Sequence, residues 1–205
     1  MKKRILILAG GFSKEREISL KTAKGVFNKI KKKYNVKICE PNGALINNLR
    51  SFKPNVVFNA LHGRYGEDGY VQSILESEKI KYTHSGVLSS SIAIDKEVSK
   101  KIFIKNNILT PKYFKFNFNR FKKKTELIKK IKSKLKFPVI IKPFNEGSSV
   151  EVYICTRRNF FENLKKLSPY KEIMIEKYIP GREIQVAIMG KRKLGAIELV
   201  PKRKF

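Results

Sequence analysis

Lys142 closes an apolar run, Val139-Ile140-Ile141, and is followed at once by Pro143-Phe144-Asn145-Glu146-Gly147-Ser148-Ser149. A lysine at the end of a buried strand supplies one fixed cation. The loop of small residues after it supplies several backbone amides, and together they are a donor set for a polyphosphate. The spacing is not that of a Walker A loop, in which G-x-x-x-x-G-K-[ST] precedes a helix. A second stretch, Ile175-Glu176-Lys177-Tyr178-Ile179 with Glu183 beyond it, leaves a strand for a turn. Backbone groups exposed there can bond an adenine edge, and a carboxylate that follows can bond ribose hydroxyls.

Two further clusters each follow a short apolar run, where open α/β sheets bind ligands. Gly10-Gly11-Phe12-Ser13-Lys14-Glu15-Arg16-Glu17 comes after Ile5 to Ala9 and lacks the G-x-G-x-x-G spacing of a dinucleotide site. Leu61-His62-Gly63-Arg64-Tyr65-Gly66-Glu67-Asp68-Gly69 comes after Val56 to Ala60 and is dense for a passive connection. Taken singly, each cluster also has a plain structural reading. Glu15 is then a charge favoured by a helix dipole, His62 a satisfied turn histidine, and Lys96 one solvated lysine among many.

Elements must hold these residues in place. Ile5 to Ala9 reads as a parallel strand buried on both faces, stopped by Gly10-Gly11. A helix is expected over Glu17 to Ile30, strands over Val36 to Cys39 and Val56 to Ala60, a helix over Tyr70 to Glu78, and a short strand at Tyr82-Thr83. Strands alternating with helices imply a parallel sheet. After Asp95 the expected order is helix (Lys96 to Asn106), helix (Thr125 to Leu135) and strands (Val139 to Lys142, Val150 to Ile154). A helix (Asn159 to Leu167) and strands (Ile173 to Lys177, Glu183 to Met189, Gly195 to Leu199) complete it. The fold class is therefore α/β, with a parallel-sheet domain over residues 1–95 and an α+β domain over 96–205.

The chain has 205 residues, 41% of them hydrophobic, which is too apolar for a disordered tail. Two cysteines, Cys39 and Cys155, give neither a disulfide framework nor zinc-ligand spacing, so a reducing, cytoplasmic setting is expected. The first apolar run is too short for a signal peptide, and no stretch is long enough to span a membrane. The net charge is +29 and uneven: residues 1–95 carry 17 basic and 8 acidic side chains, residues 96–205 carry 29 and 9. Such a charge is the footprint of a nucleic-acid binder. The plainer reading is that lysine has been favoured at solvent-facing positions, as in Lys122-Lys123-Lys124 and Lys129-Lys130.

In combination and in order, the blocks resemble a known family. These are Glu15-Arg16-Glu17-Ile18-Ser19-Leu20 after Gly10-Gly11, Ala60-Leu61-His62-Gly63, Gly66-Glu67-Asp68-Gly69, Ser85-Gly86-Val87 and Asp95-Lys96. Ile141-Lys142-Pro143, Glu146-Gly147-Ser148-Ser149-Val150 and Ile175-Glu176-Lys177-Tyr178 complete the set. The match, over essentially the whole chain, is to the D-alanine–D-alanine ligases of the ATP-grasp superfamily. The resemblance implies that residues 96–205 begin an ATP-grasp fold. It also implies that ATP phosphorylates the carboxylate of one D-alanine and that the amine of a second attacks the acyl phosphate, giving the dipeptide of peptidoglycan. Lys96 and Lys142 would contact the ATP phosphates, with Glu146, Gly147, Ser148 and Ser149 closing over them. Glu176, Lys177 and Ile179 would line the adenine pocket, the latter two through backbone groups, and Glu183 would hold the ribose. Glu15 would bind the ammonium of the first D-alanine, His62 and Gly63 would lie beside its carboxylate, and Ser148 would link the loop to Glu15. Family members are commonly dimers through the amino-terminal domain. No membrane or nucleic-acid partner is implied.

Two departures stand out. Glu151 occupies a position where the family usually has glycine. The family's Mg2+ ligands, and the arginine facing its transition state, are expected beyond residue 205, so the 205-residue chain alone is expected to be inactive. The competing reading is a basic domain that holds nucleic acid or another polyanion on a ligase-like scaffold. Only Tyr113-Phe114-Lys115-Phe116 to Phe121-Lys122 interleaves aromatic with basic residues as such readers do.

Overall fold

The computed structural model describes residues 2–147 and 150–200. Two compact units form, one from the residues up to Leu109 together with Phe144–Val150, the other from Thr110–Pro143 together with the residues from Glu151 on. The first unit is built on a parallel sheet of order β2-β1-β3, with β1 at Arg4–Leu8, β2 at Asn35–Cys39 and β3 at Val56–Asn59. Tyr82 adds one parallel bridge to Val57. The central β1 is sealed on both faces, which is why its sequence is apolar throughout rather than alternating. Leu6 and Leu8 join a core with Leu45, Leu49, Val71 and Leu75, while Ile7 and Ala9 join another with Ala23 and Ala60.

Helix α1 (Arg16–Ile30) covers the second of these cores, and α2 (Leu45–Phe52) and α3 (Tyr70–Ser77) cover the first. Sequence reading passes over α2. Its Asn47-Asn48 pair weakens the local helix signal, and burial of Leu45 and Leu49, one turn apart, supplies what propensity does not. It also passes over α4 (Val87–Ile94), which runs almost directly into α5 (Lys96–Lys105). The Asp95 side chain separates the two by capping α5, accepting from the N–H groups of Glu97 at 2.8 Å and Val98 at 3.1 Å. Helix α5, which the sequence reading places in the second domain, groups with the first unit.

The second unit carries an antiparallel sheet of order β4-β7-β5-β6: β4 is Tyr113–Asn117, β5 Val139–Pro143, β6 Tyr153–Cys155 and β7 Glu172–Lys177. Helices α6 (Lys124–Lys134) and α7 (Phe160–Lys166) pack against one face of it. Strand β4 accounts for most of the interleaved aromatic and basic stretch. Phe114 and Phe116 point into the core while Tyr113, Lys115 and Asn117 alternate to the other face, so two of its aromatics are packing residues rather than a stacking platform. Strand β6 starts later than expected because Glu151 sits at φ 54, in a turn ahead of it. The hairpin of β8 (Glu183–Met189) and β9 (Arg192–Leu199) pairs antiparallel with an irregularity at Ala187/Ile188. Its apolar residues, among them Ile184, Val186 and Ile197, are exposed.

Candidate active site

The two loops at the carboxyl ends of β1 and β3 are tied together by short bonds. Ser13 Oγ donates to the His62 carbonyl at 2.7 Å and itself accepts from the Glu15 N–H at 3.2 Å. His62 Nε2 lies 3.2 Å from Thr22 Oγ1 on α1, so its ring is held as well as its backbone. Glu15 sits at the N-cap of α1, yet its side chain makes no capping bond and is only 7% exposed. A charge placed there for the helix dipole alone would face solvent. This carboxylate instead lies against glycines: a Cβ on Gly63 would come within 2.9 Å of Glu15 Oε2, and one on Gly147 within 3.0 Å. Gly63, at φ +69, donates its N–H to Glu67 Oε2 at 3.1 Å. Glu15, His62, Gly63 and Gly147 are therefore brought together in one unit, with Glu67 beside them.

The rest of the second loop is a frame for these groups. Asn59 and Gln72 both donate to the Gly66 carbonyl, at 2.8 and 2.7 Å, and Asp68 accepts from the N–H groups of Tyr65 and Tyr70. The two carboxylates thus divide their work, Glu67 to the site and Asp68 to the entry of α3. A Cβ on Gly66 would fall 2.3 Å from that of Leu61 and 3.1 Å from its carbonyl carbon. Gly66→Ala should therefore destabilise the unit by about 1–3 kcal/mol, the overpacking range. Gly25→Ala, inside α1 with nothing within 4 Å, should stabilise it by about 0.5–1 kcal/mol. Urea midpoints moving the same way for both variants would contradict this.

His84 is a site neighbour that sequence reading missed. It precedes α4 at φ 82, and surrounding protein pushes its imidazole pKa down, opposed by Glu67 and reinforced by His62. As a lone histidine between Thr83 and Ser85 it carried no motif of its own.

Lys96, the first residue of α5, belongs to the first unit with Glu146. Its ammonium donates to the carbonyls of Phe144, at 3.1 Å, and Glu146, and its backbone N–H also reaches the Phe144 carbonyl, at 3.3 Å. It holds the base of the small-residue loop, a positioning role beyond the phosphate contact expected of it. Ser148 and Ser149 lie outside the described residues.

The second unit holds Lys142, Glu176, Lys177, Ile179 and Glu183. Ile141 and Ile175 face the core, so Lys142 and Glu176 share the other face of the sheet, where they form an ion pair with side chains 19% and 6% exposed. Beyond them the Lys177 N–H donates to the Lys112 carbonyl at 2.9 Å, extending the β4–β7 ladder. Of the Lys177 backbone groups, the carbonyl is therefore the one left to serve the adenine edge that the sequence reading expects of Lys177 and Ile179. Ile179 and Glu183 are exposed, and the latter begins β8. Glu151, where glycine is expected, has the positive φ that glycine would adopt at no cost, about 1–2 kcal/mol for another residue.

Among the described residues there is no group of three or more His, Cys, Asp or Glu side chains that could hold a metal ion. No helix among them is long and apolar enough to cross a membrane.

Comparison with known proteins shows what the chain as a whole is similar to. A family model described as "D-ala D-ala ligase C-terminus" matches residues 102–205. The D-alanine–D-alanine ligase of Pelagibacter ubique (strain HTCC1062) is 64% identical over 206 residues, covering 100% of this chain and 67% of the relative. That of Rickettsia bellii (strain OSU 85-389) is 42% identical over 200 residues, covering 97% of this chain and 60% of the relative. Among solved structures, a D-alanine–D-alanine ligase from Bacillus anthracis complexed with ATP superposes with a TM-score of 0.79 at 32% identity. That match covers 99% of this chain and 68% of the other. The chain thus spans roughly two thirds of the length of the proteins it matches.

Proposed function

This chain belongs to the D-alanine–D-alanine ligase family, and from that premise we propose that its sites serve the ATP-dependent joining of two D-alanines for peptidoglycan synthesis. The observation that carries the reading is Glu15: a carboxylate 7% exposed, not used as a helix cap, and lying against Gly63 and Gly147. A small zwitterion would bring such a group an ammonium to pair with, and its carboxylate would then fall toward His62. Phosphoryl transfer from ATP to that carboxylate leaves ADP and a D-alanyl phosphate. The amine of a second D-alanine then attacks the acyl carbon, phosphate departs, and the amide remains.

An acyl phosphate hydrolyses in water, so the chemistry needs cations around the phosphates and a dry, closed site. Lys142, oriented by Glu176, is the fixed cation of the second unit. Lys96 steadies the start of the loop at Phe144 and Glu146; the amides and hydroxyls of Glu146, Gly147, Ser148 and Ser149 would suit the phosphates, and Ser148 would bridge the loop to Glu15. The Lys177 carbonyl and the Ile179 backbone are suited to the adenine edge and Glu183 to the ribose.

The test compares D-alanine-dependent phosphate release from ATP in two polypeptides. The 205-residue chain alone should show none. The same chain joined to the remaining third of the Pelagibacter relative should ligate D-alanine. A folded, ATP-binding hybrid that never releases phosphate would sink the reading.

A further inference from the structure

The carboxyl ends of β1 and β3 carry the site just described, and the amino-terminal ends of the same sheet carry a different feature. In a parallel α/β unit the turns that lead from helix back to strand all return to that edge. Here each one brings lysine. The start of β1 supplies Lys2 and Lys3, with Arg4 as its first residue. The turn from α1 into β2 supplies Lys31, Lys32 and Lys33, and the turns leading to β3 and Tyr82 supply Lys53, Lys79 and Lys81. All are exposed except the half-buried Arg4. Two are fixed: Lys2 Nζ donates to the Lys32 carbonyl at 3.0 Å and Arg4 Nε to the Lys53 carbonyl at 2.8 Å.

Lysine enrichment by itself would scatter charge over the surface, and this charge is sorted. Residues 1–95 hold 17 basic side chains, and nine of them lie on this edge. The acidic groups Glu15, Glu40, Glu67 and Asp68 follow the opposite, carboxyl ends of the strands. Glu78, beside Lys79, is neutralised by the Arg50 guanidinium through bonds of 2.7 and 3.0 Å, and Glu76 accepts from the Tyr82 hydroxyl. The surface between the cations is continuous. Depressions of about 610 and 680 Å³ share Lys2 and Tyr34, and a third of about 420 Å³ shares Lys3 with the second.

We infer that this edge docks on an anionic phospholipid bilayer. A reader of single-stranded nucleic acid combines a groove with aromatic stacking platforms and arginine. This edge offers lysines spread across the turns of one sheet end, a single arginine and, within the depressions, Tyr34 and Phe27 as its only aromatics. Hydrated point charges spread over a face suit a bilayer's diffuse surface potential, to which each lysine near the surface contributes separately. The lipid phosphates would fill the depressions, and the acidic site edge would point away from the headgroups.

The experiment is co-sedimentation of the full 205-residue chain with phosphatidylcholine vesicles containing or lacking phosphatidylglycerol. One variant carries Lys31→Gln, Lys33→Gln, Lys79→Gln and Lys81→Gln. A second, of identical net charge, carries Lys122→Gln, Lys123→Gln, Lys129→Gln and Lys132→Gln in the other unit, and circular dichroism checks that both fold. Partition to the anionic vesicles should fall by roughly three orders of magnitude in the first variant and severalfold at most in the second. Equal losses would mean that only total charge matters and would overturn the proposal. So would equal binding to vesicles without phosphatidylglycerol, or an oligouridylate that binds the same edge more tightly than the vesicles do.

Discussion

Lys142→Ala, in the chain joined to the remaining third of its Pelagibacter relative, is expected to do two kinds of damage that a second substitution separates. Removing the ammonium takes from Glu176, 4% exposed, the ion pair it makes with Lys142 in the buried sheet face. Breaking a buried pair from one side costs about 3–5 kcal/mol, so the unfolding midpoint of the second unit should drop sharply. Replacing both partners by apolar residues of similar volume, Lys142→Met with Glu176→Leu, should recover most of that stability, because the desolvation cost of both charges goes with them. ATP affinity should not return. A charge-assisted contact to phosphate is worth about 1.5–3 kcal/mol, so both variants should bind ATP roughly 10- to 150-fold more weakly. A double variant that is stable and binds ATP normally would remove Lys142 from the nucleotide site.

The second large effect is expected from Glu15→Gln. The substitution keeps the shape that fits between Gly63 and Gly147 and removes only the charge. Fold stability and ATP affinity should stay close to those of the parent. The Michaelis constant for the first D-alanine should rise by roughly 10- to 150-fold, the loss of one charge-assisted bond to an ammonium. Unchanged D-alanine kinetics, measured with the second D-alanine saturating, would reduce Glu15 to a packing residue at the start of α1.

Much of this arrangement was legible in the chain, and the gaps have physical causes. Strand β1 was readable because a central parallel strand is apolar on both faces, and Lys142 because a cation ends such a run abruptly. Strand β4 carries the alternation of a half-buried strand, phenylalanines packing inward while lysine and asparagine face away, but the same Phe-Lys-Phe run also reads as aromatics interleaved with basic residues. The short helices α2 and α4 depend on tertiary burial rather than propensity. The pairing of Lys142 with Glu176 was invisible for a different reason. They are 34 residues apart in sequence and meet only through the register of β5 against β7. Glu15 stands out in the sequence, but its burial against two glycines, one of them 132 residues further along the chain, is a fact of three dimensions.

The way the chain divides between its two units sets an order for its birth. The first unit includes residues only up to Leu109, then nothing until Phe144–Val150. A nascent chain that has delivered α5 still lacks the segment on which Lys96 closes and against which Glu15 packs. At about 5–20 residues per second, the 41 residues from Thr110 to Val150 take roughly 2–8 s to synthesise. During that interval Glu15 and Lys96 wait in water without these partners. Strands β4 and β5 and helix α6 emerge before the amino-terminal unit can finish.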